Sequence, residues 1–134
     1  MVNHPTKNGN YRPRCIVVDD DDYFRAVVVK ILESINGRVL AEAIDGLQAL
    51  ELCQQHRPDW LFTDVCLPGL NGLELVTCIR NEGIDCKIGV LSDAVNSRVK
   101  AQFSAFDIDF LIDKRSLEIN AFAVFLKQAI FKKR

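Results

Sequence analysis

The stretch Leu61-Phe62-Thr63-Asp64-Val65-Cys66-Leu67-Pro68-Gly69-Leu70-Asn71-Gly72 decides the fold. An apolar run of strand length, beginning at Trp60, stops at one carboxylate. Pro68-Gly69 and Asn71-Gly72 then break the chain, and Leu75, Val76 and Ile79 follow at helical spacing. A short apolar run without alternation, bounded by turn residues, reads as a strand covered on both faces. The order is therefore strand, acidic loop, helix.

The same order recurs on either side. Cys15 to Val18, Arg38 to Ile44, Ile88 to Leu91 and Ile108 to Ile112 have strand length like Trp60 to Thr63. Between them, Phe24, Val27, Val28, Ile31, Leu32 and Ile35 form one helical stripe, and Val95, Val99, Phe103 and Phe106 form another. Leu47, Leu50 and Cys53 make a weaker stripe, and the last helix carries Phe122, Phe125, Leu126, Ala129 and Ile130. Gly37, Gly46, Gly72 and Gly83 separate segments, and Ser116 with Glu118 suits the start of the last helix. Five such units in series require a parallel sheet with helices on both faces, joined by right-handed crossovers. The expected fold class is α/β, a doubly wound five-stranded parallel sheet of the flavodoxin-like (βα)5 kind.

Length and composition agree. A chain of 134 residues suits one core. Its net charge of −1 offers no broad attraction to nucleic acid or anionic lipid, so direct nucleic-acid binding and membrane association are not expected. The terminal Lys132-Lys133-Arg134 reads as a solvated helix end or a cut linker. Five cysteines, an odd number without metal-ligand spacing, read as reduced small hydrophobes in a cytoplasmic protein. Residues 1–14 have Pro, Gly, Asn and basic residues without periodicity and read as a flexible leader, with the domain spanning 15–134.

In an open parallel sheet, ligands bind beyond the C-terminal strand ends, where strand order reverses. Those ends carry Asp19-Asp20-Asp21-Asp22, Asp64, Ser92-Asp93 and Asp113-Lys114. Crowded carboxylates are relieved by a bound cation, and oxygen ligands at a hydrated site suit magnesium. A cation, a lysine and a hydroxyl together can cradle a phosphoryl group, with Asp64 as the nucleophile.

At this point the sequence resembles the response-regulator receiver family, including its chemotaxis-type members. The resemblance rests on Val17-Val18-Asp19-Asp20, on the stretch from Leu61 to Gly72, on strand-ending Ser92 and on Lys114, in that order. It implies that Asp64 is the phosphoacceptor and that Mg2+ is held by Asp19, Asp20, Asp64 and the backbone carbonyl of Cys66. It also implies that Ser92 is the switch hydroxyl and Lys114 the phosphoryl-pairing lysine. A histidine kinase or phosphotransfer protein would be the donor, and the chain would act as a signalling switch in a two-component phosphorelay rather than as an enzyme.

Some positions depart from the family pattern. Asp93 adds a carboxylate where a small residue is usual, Arg115 follows Lys114 where proline is usual, and Asn71 stands for aspartate. The aromatic expected three positions before Lys114 is Leu111, with Phe110 beside it. Asp93, Phe110 and Leu111 are therefore candidate modulators. Leu117, Val124 and Phe131 recur every seven residues and suggest a partner face, consistent with the surface of fourth helix, fifth strand and fifth helix that receivers use for homodimers or targets. Two other readings compete: a receiver-shaped interaction module that is no longer phosphorylated, and a phosphohydrolase of the haloacid-dehalogenase type. The latter normally needs a second aspartate at the place held by Cys66.

Overall fold

The computed structural model describes residues 11–132. The strands are β1 (Arg14–Val18), β2 (Arg38–Ala43), β3 (Trp60–Thr63), β4 (Lys87–Ser92) and β5 (Phe110–Asp113). They alternate with α1 (Asp22–Ser34), α2 (Gly46–His56), α3 (Gly72–Asn81), α4 (Ser97–Phe103) and α5 (Ile119–Phe131). All pairings are parallel and the order is β2-β1-β3-β4-β5. The doubly wound α/β fold expected from the sequence is the one observed.

The two-residue period of the strands divides the core between the sheet faces. Ile16, Val18, Leu61, Ile88 and Val90 point to one side, where they meet Ala49 and Cys53 of α2, Leu75, Val76 and Ile79 of α3, and Phe103 of α4. Cys15, Val17, Trp60, Phe62 and Leu91 point to the other and meet Val28, Ile31 and Leu32 of α1 and Phe122, Leu126 and Ile130 of α5. Complete burial of one such large side chain contributes on the order of 1.5–3 kcal/mol, so both faces are needed to hold the sheet.

Several expectations at element ends are corrected. Arg14 already pairs with Arg38, and the Arg38 amide donates to the Pro13 carbonyl, so ordered structure begins before Cys15. Tyr11 also lies edge-on to Phe131. The rest of the leader, residues 1–10, and the basic residues 133 and 134 lie outside the described residues. β5 begins at Phe110 rather than Ile108, because the Asp109 carboxylate accepts from the Ile88 amide and starts the pairing there. The Asn96 side chain caps α4 through the Val99 amide, leaving Val95 and Phe106 outside the helix. Leu47 was expected to face the core of α2 but is exposed.

The seven-residue stripe does not form one exposed face. Leu117 precedes α5 in extended conformation, and Leu117 and Phe131 both pack on the α1/α5 core, leaving only Val124 strongly exposed. Glu118, not Ser116, caps α5 by accepting from the Asn120 and Ala121 amides. Phe125, expected in the core, lies at its edge, with its ring edge-on to Phe110.

Candidate functional site

Strand order reverses between β1 and β3, opening a crevice beyond their C-terminal ends. Asp19 follows β1 and Asp64 follows β3, and both are buried. Their registry is locked by the backbone: the Asp19 amide donates to the Ala43 carbonyl and the Asp64 amide to the Val18 carbonyl. Asp20 is exposed on the rim.

The loop after Asp64 is held by α3. Asn71 caps that helix in a reciprocal capping box with Glu74, at 2.9 and 3.0 Å. An asparagine here therefore supplies the acceptor that an aspartate would. Gly72 allows the helix start to approach the loop, since a Cβ there would lie 2.2 Å from the Asp64 carbonyl oxygen. The Val65 and Cys66 amides in turn donate to Asp64 Oδ1, at 2.6 and 3.3 Å.

Lys114 reaches the crevice from just past β5. Its Nζ donates to Asp19 Oδ2 at 2.6 Å and to Asp64 Oδ2 at 2.9 Å, and lies 4.2 Å from the centre of the Phe24 ring. Burial pulls the Lys114 ammonium toward its neutral form, but bonds and charge from Asp19 and Asp64 outweigh this and raise its pKa. Burial also raises the Asp19 carboxyl, against the pull of Lys114 and the Asp21 amide, with the Asp64 charge adding to the rise. These directions oppose one another across a single ion pair. Two carboxylates face the ammonium at bonding distance, so the charged form of Lys114 is the one this crevice favours.

One carboxylate oxygen from each of Asp19, Asp20 and Asp64 lies within 4.8 Å of the others. This is a compact, all-oxygen donor set with one exposed member. Against three carboxylates the protein sets one ammonium, so the residues present fit a small hard cation.

Ser92 ends β4, is fully buried, and accepts from the Ala94 amide through Oγ at 3.1 Å. It pairs across the sheet with Asp113, the residue before Lys114. Asp93 is exposed at the mouth, where its charge raises the Arg115 guanidinium and the Cys66 thiol, each as a lesser contribution behind a larger one. For Arg115 the larger influence is the bond to Asp113; for Cys66 it is burial. Arg115 also donates to the Val95 carbonyl at 3.0 Å, tying the β4–α4 loop to the end of β5. The Lys114–Arg115 peptide is trans.

Phe110 and Leu111 fall on opposite faces. Phe110 lies among Trp60, Phe62 and Phe125 on the α1/α5 side, whereas Leu111 packs on the side of α2, α3 and α4. The only aromatic in β5 thus points away from α4.

The strand-end residues Asp19, Asp64 and Lys114 are brought together as expected. Two participants were not anticipated. Phe24 enters the sequence reading only as part of a helical stripe, and Arg25 donates to the Asp19 carbonyl at 2.8 Å while pairing with Glu42 and Asp22. The arginine after the acidic run was a usable signal. The ring against Lys114 is not, because it depends on how far the lysine reaches from the end of β5 toward α1.

Comparison with known proteins agrees with this geometry. The family model described as "Response regulator receiver domain" matches residues 15–123. The response regulator MprA of Mycobacterium ulcerans (strain Agy99) is 40% identical over 107 residues, covering 78% of this chain and 45% of the relative. MprA of Mycobacterium leprae (strain TN) is 39% identical over 107 residues, covering 78% and 46%. The chain therefore spans less than half the length of these curated relatives. Among solved structures, the signal receiver domain of the putative response regulator NarL from Mycobacterium tuberculosis superposes with a TM-score of 0.75 at 27% identity, covering 87% of this chain and 97% of that one. The response regulator domain of Thermotoga maritima CheB gives 0.76 at 25% identity, covering 92% and 100%. With the family model spanning most of the chain and the fold shared with solved members, this chain belongs to the response regulator receiver domain family.

Proposed function

We propose that Asp64 accepts a phosphoryl group from the phosphohistidine of a histidine kinase or phosphotransfer protein, and that the modified domain acts as a signalling switch rather than as an enzyme on an external substrate. The observation that carries this reading is the pairing of Lys114 with both Asp19 and Asp64 at the crevice where strand order reverses.

In the step itself, an Asp64 carboxylate oxygen attacks phosphorus. A P–O bond forms, the P–N bond to the donor imidazole breaks, and the electron pair goes to that nitrogen, leaving neutral imidazole after proton balance with solvent. Asp19, Asp20, Asp64 and the Cys66 backbone carbonyl would hold Mg2+, which when bound supplies positive charge for the phosphoryl oxygens. Lys114 exchanges its bond to Asp64 Oδ2 for one to a phosphoryl oxygen. Ser92 turns from the Ala94 amide and donates its hydroxyl to another.

The rotation of Ser92 would move the β4–α4 loop that Arg115 tethers to β5. Since Phe110 faces α5 and Leu111 is aliphatic, this route uses loop and backbone rather than an aromatic relay. The edge bearing exposed Val124 and Phe125 is the proposed surface for a target or a second copy. Asp93, at the mouth, would lower the rate at which an anionic donor enters.

Incubation with phosphoramidate and Mg2+, followed by intact mass, tests the reading. One base-labile phosphoryl adduct that requires Mg2+ is expected. No adduct with any small donor, together with no affinity for Mg2+, would favour the interaction module that is no longer phosphorylated. Steady hydrolysis of a phosphate ester would favour the phosphohydrolase.

A further inference from the structure

An ammonium has three N–H groups and needs three places to put them. For Lys114, two are Asp19 Oδ2 and Asp64 Oδ2. On the remaining side lies the face of Phe24, 4.2 Å from ring centre to Nζ. The lysine side chain is only 10% exposed. Phe24 itself belongs to α1 and packs at the margin of the α1/α5 core, so the ring is held by the scaffold rather than by the site.

We infer that Phe24 is a positioning residue for phosphoryl transfer: its ring walls the Lys114 ammonium into the crevice, so that the charge stays in place when its bond to Asp64 is given up. This rests on the phosphoacceptor reading above.

The physical need for such a wall arises during the reaction. Once the carboxylate becomes an acyl phosphate, Asp64 Oδ2 no longer offers the same negative charge, and Lys114 must move to a phosphoryl oxygen. A four-carbon side chain freed on one side would otherwise sample water, which solvates an ammonium strongly. A ring face attracts the cation through its quadrupole without competing as a hydrogen-bond acceptor of full charge. It therefore keeps the ammonium near the crevice while leaving it free to swing between carboxylate and phosphoryl oxygens. Preorganised charge of this kind lowers a barrier because it need not be gathered during the step.

The test is a double-mutant cycle on the full chain, read as the rate of adduct formation with phosphoramidate and Mg2+. Phe24→Leu keeps an apolar side chain in the core margin but removes the ring. It should slow phosphorylation by about three- to tenfold, the range of one cation–π contact. Phe24→Tyr should restore most of the rate. In a Lys114→Ala background, Phe24→Leu should have no further effect. An unchanged rate in Phe24→Leu, or the same fold-loss with and without Lys114, would overturn the inference, since a merely structural role of the ring acts in both backgrounds.

A second readout does not need the phosphoacceptor reading to hold. Acetylation of Lys114 by an amine-reactive ester, mapped by mass spectrometry on folded protein, should be slow in the wild type and in Phe24→Tyr and clearly faster in Phe24→Leu. Equal protection in all three would overturn the wall even if Asp64 is phosphorylated. Faster labelling of Phe24→Leu in a protein that takes up no phosphoryl group would uphold the wall and sink only the function built on it.

Discussion

Phe110 of β5 lies across Gly89 of β4, its register partner, so closely that a Cβ on Gly89 would sit 2.2 Å from Phe110 Cζ. The missing side chain is what lets the ring reach Trp60 and Phe62, with centroids 6.0 and 6.1 Å away. Gly89→Ala should therefore destabilise the fold by roughly 1–3 kcal/mol through overpacking. Combining it with Phe110→Leu should recover part of the loss. Urea denaturation of the single and double variants measures both terms, and simple additivity would show that ring and glycine are not coupled.

Arg80 joins α3 to two strand entrances, donating to the Cys86 carbonyl before β4 and to the Asp107 carbonyl before β5. Replacement by Met retains much of the apolar stem and removes both. A loss of about 1.5–3 kcal/mol is expected in chemical denaturation, typical of hydrogen bonds to a charged group.

The cap of α5 gives a pH signature. Bonds from the Asn120 and Ala121 amides hold the Glu118 carboxyl below its ordinary value of 4.5. A carboxyl depressed in the folded state contributes stability above its unfolded pKa and loses it as pH falls through the folded value. Glu118→Ala should lower Tm modestly at pH 7, and the gap to wild type should narrow steadily below pH 4.5. A gap independent of pH in thermal melts would contradict the charged cap.

The cysteines should separate by burial. Burial pushes the Cys15 and Cys53 thiols up to about 12 and Cys86 up to about 11; the Cys66 thiol is raised as well, by partial burial and then the Asp64 charge, but it is exposed to reagent at the crevice mouth. Iodoacetamide at pH 8, with peptide mapping, should label Cys66 in the native protein and reach the three buried thiols only after unfolding. Native labelling of Cys53 at the rate of Cys66 would show that the α2 core opens readily.

How much of this was legible in the sequence depends on the range of the interaction concerned. Asp19, Asp64, Ser92 and Lys114 could be placed because each ends a strand, and strand order in a doubly wound sheet brings such ends together. The opposite facing of Phe110 and Leu111 follows from the two-residue period once the strand limits are known. By contrast, the heptad of Leu117, Val124 and Phe131 misled, because Leu117 lies before the helix and Phe131 turns toward Tyr11. The Phe24–Lys114 contact joins positions far apart in the chain through a lysine that reaches from just past β5 into the crevice, and no local pattern encodes that distance. Likewise Arg115 departed from the family pattern as a residue type, but its bond to the Val95 carbonyl emerged only with the loop geometry.

The identity of the acceptor is the central claim, and chemical trapping at residue level tests it most directly. After phosphorylation with phosphoramidate and Mg2+, borohydride reduces an acyl phosphate to an alcohol, converting a phosphorylated aspartate to homoserine. Peptide mass spectrometry should find that conversion at Asp64 alone and find none in Asp64→Asn. Conversion at Asp19, Asp20 or Asp93 in the wild type, or an adduct of equal yield in Asp64→Asn, would contradict the account.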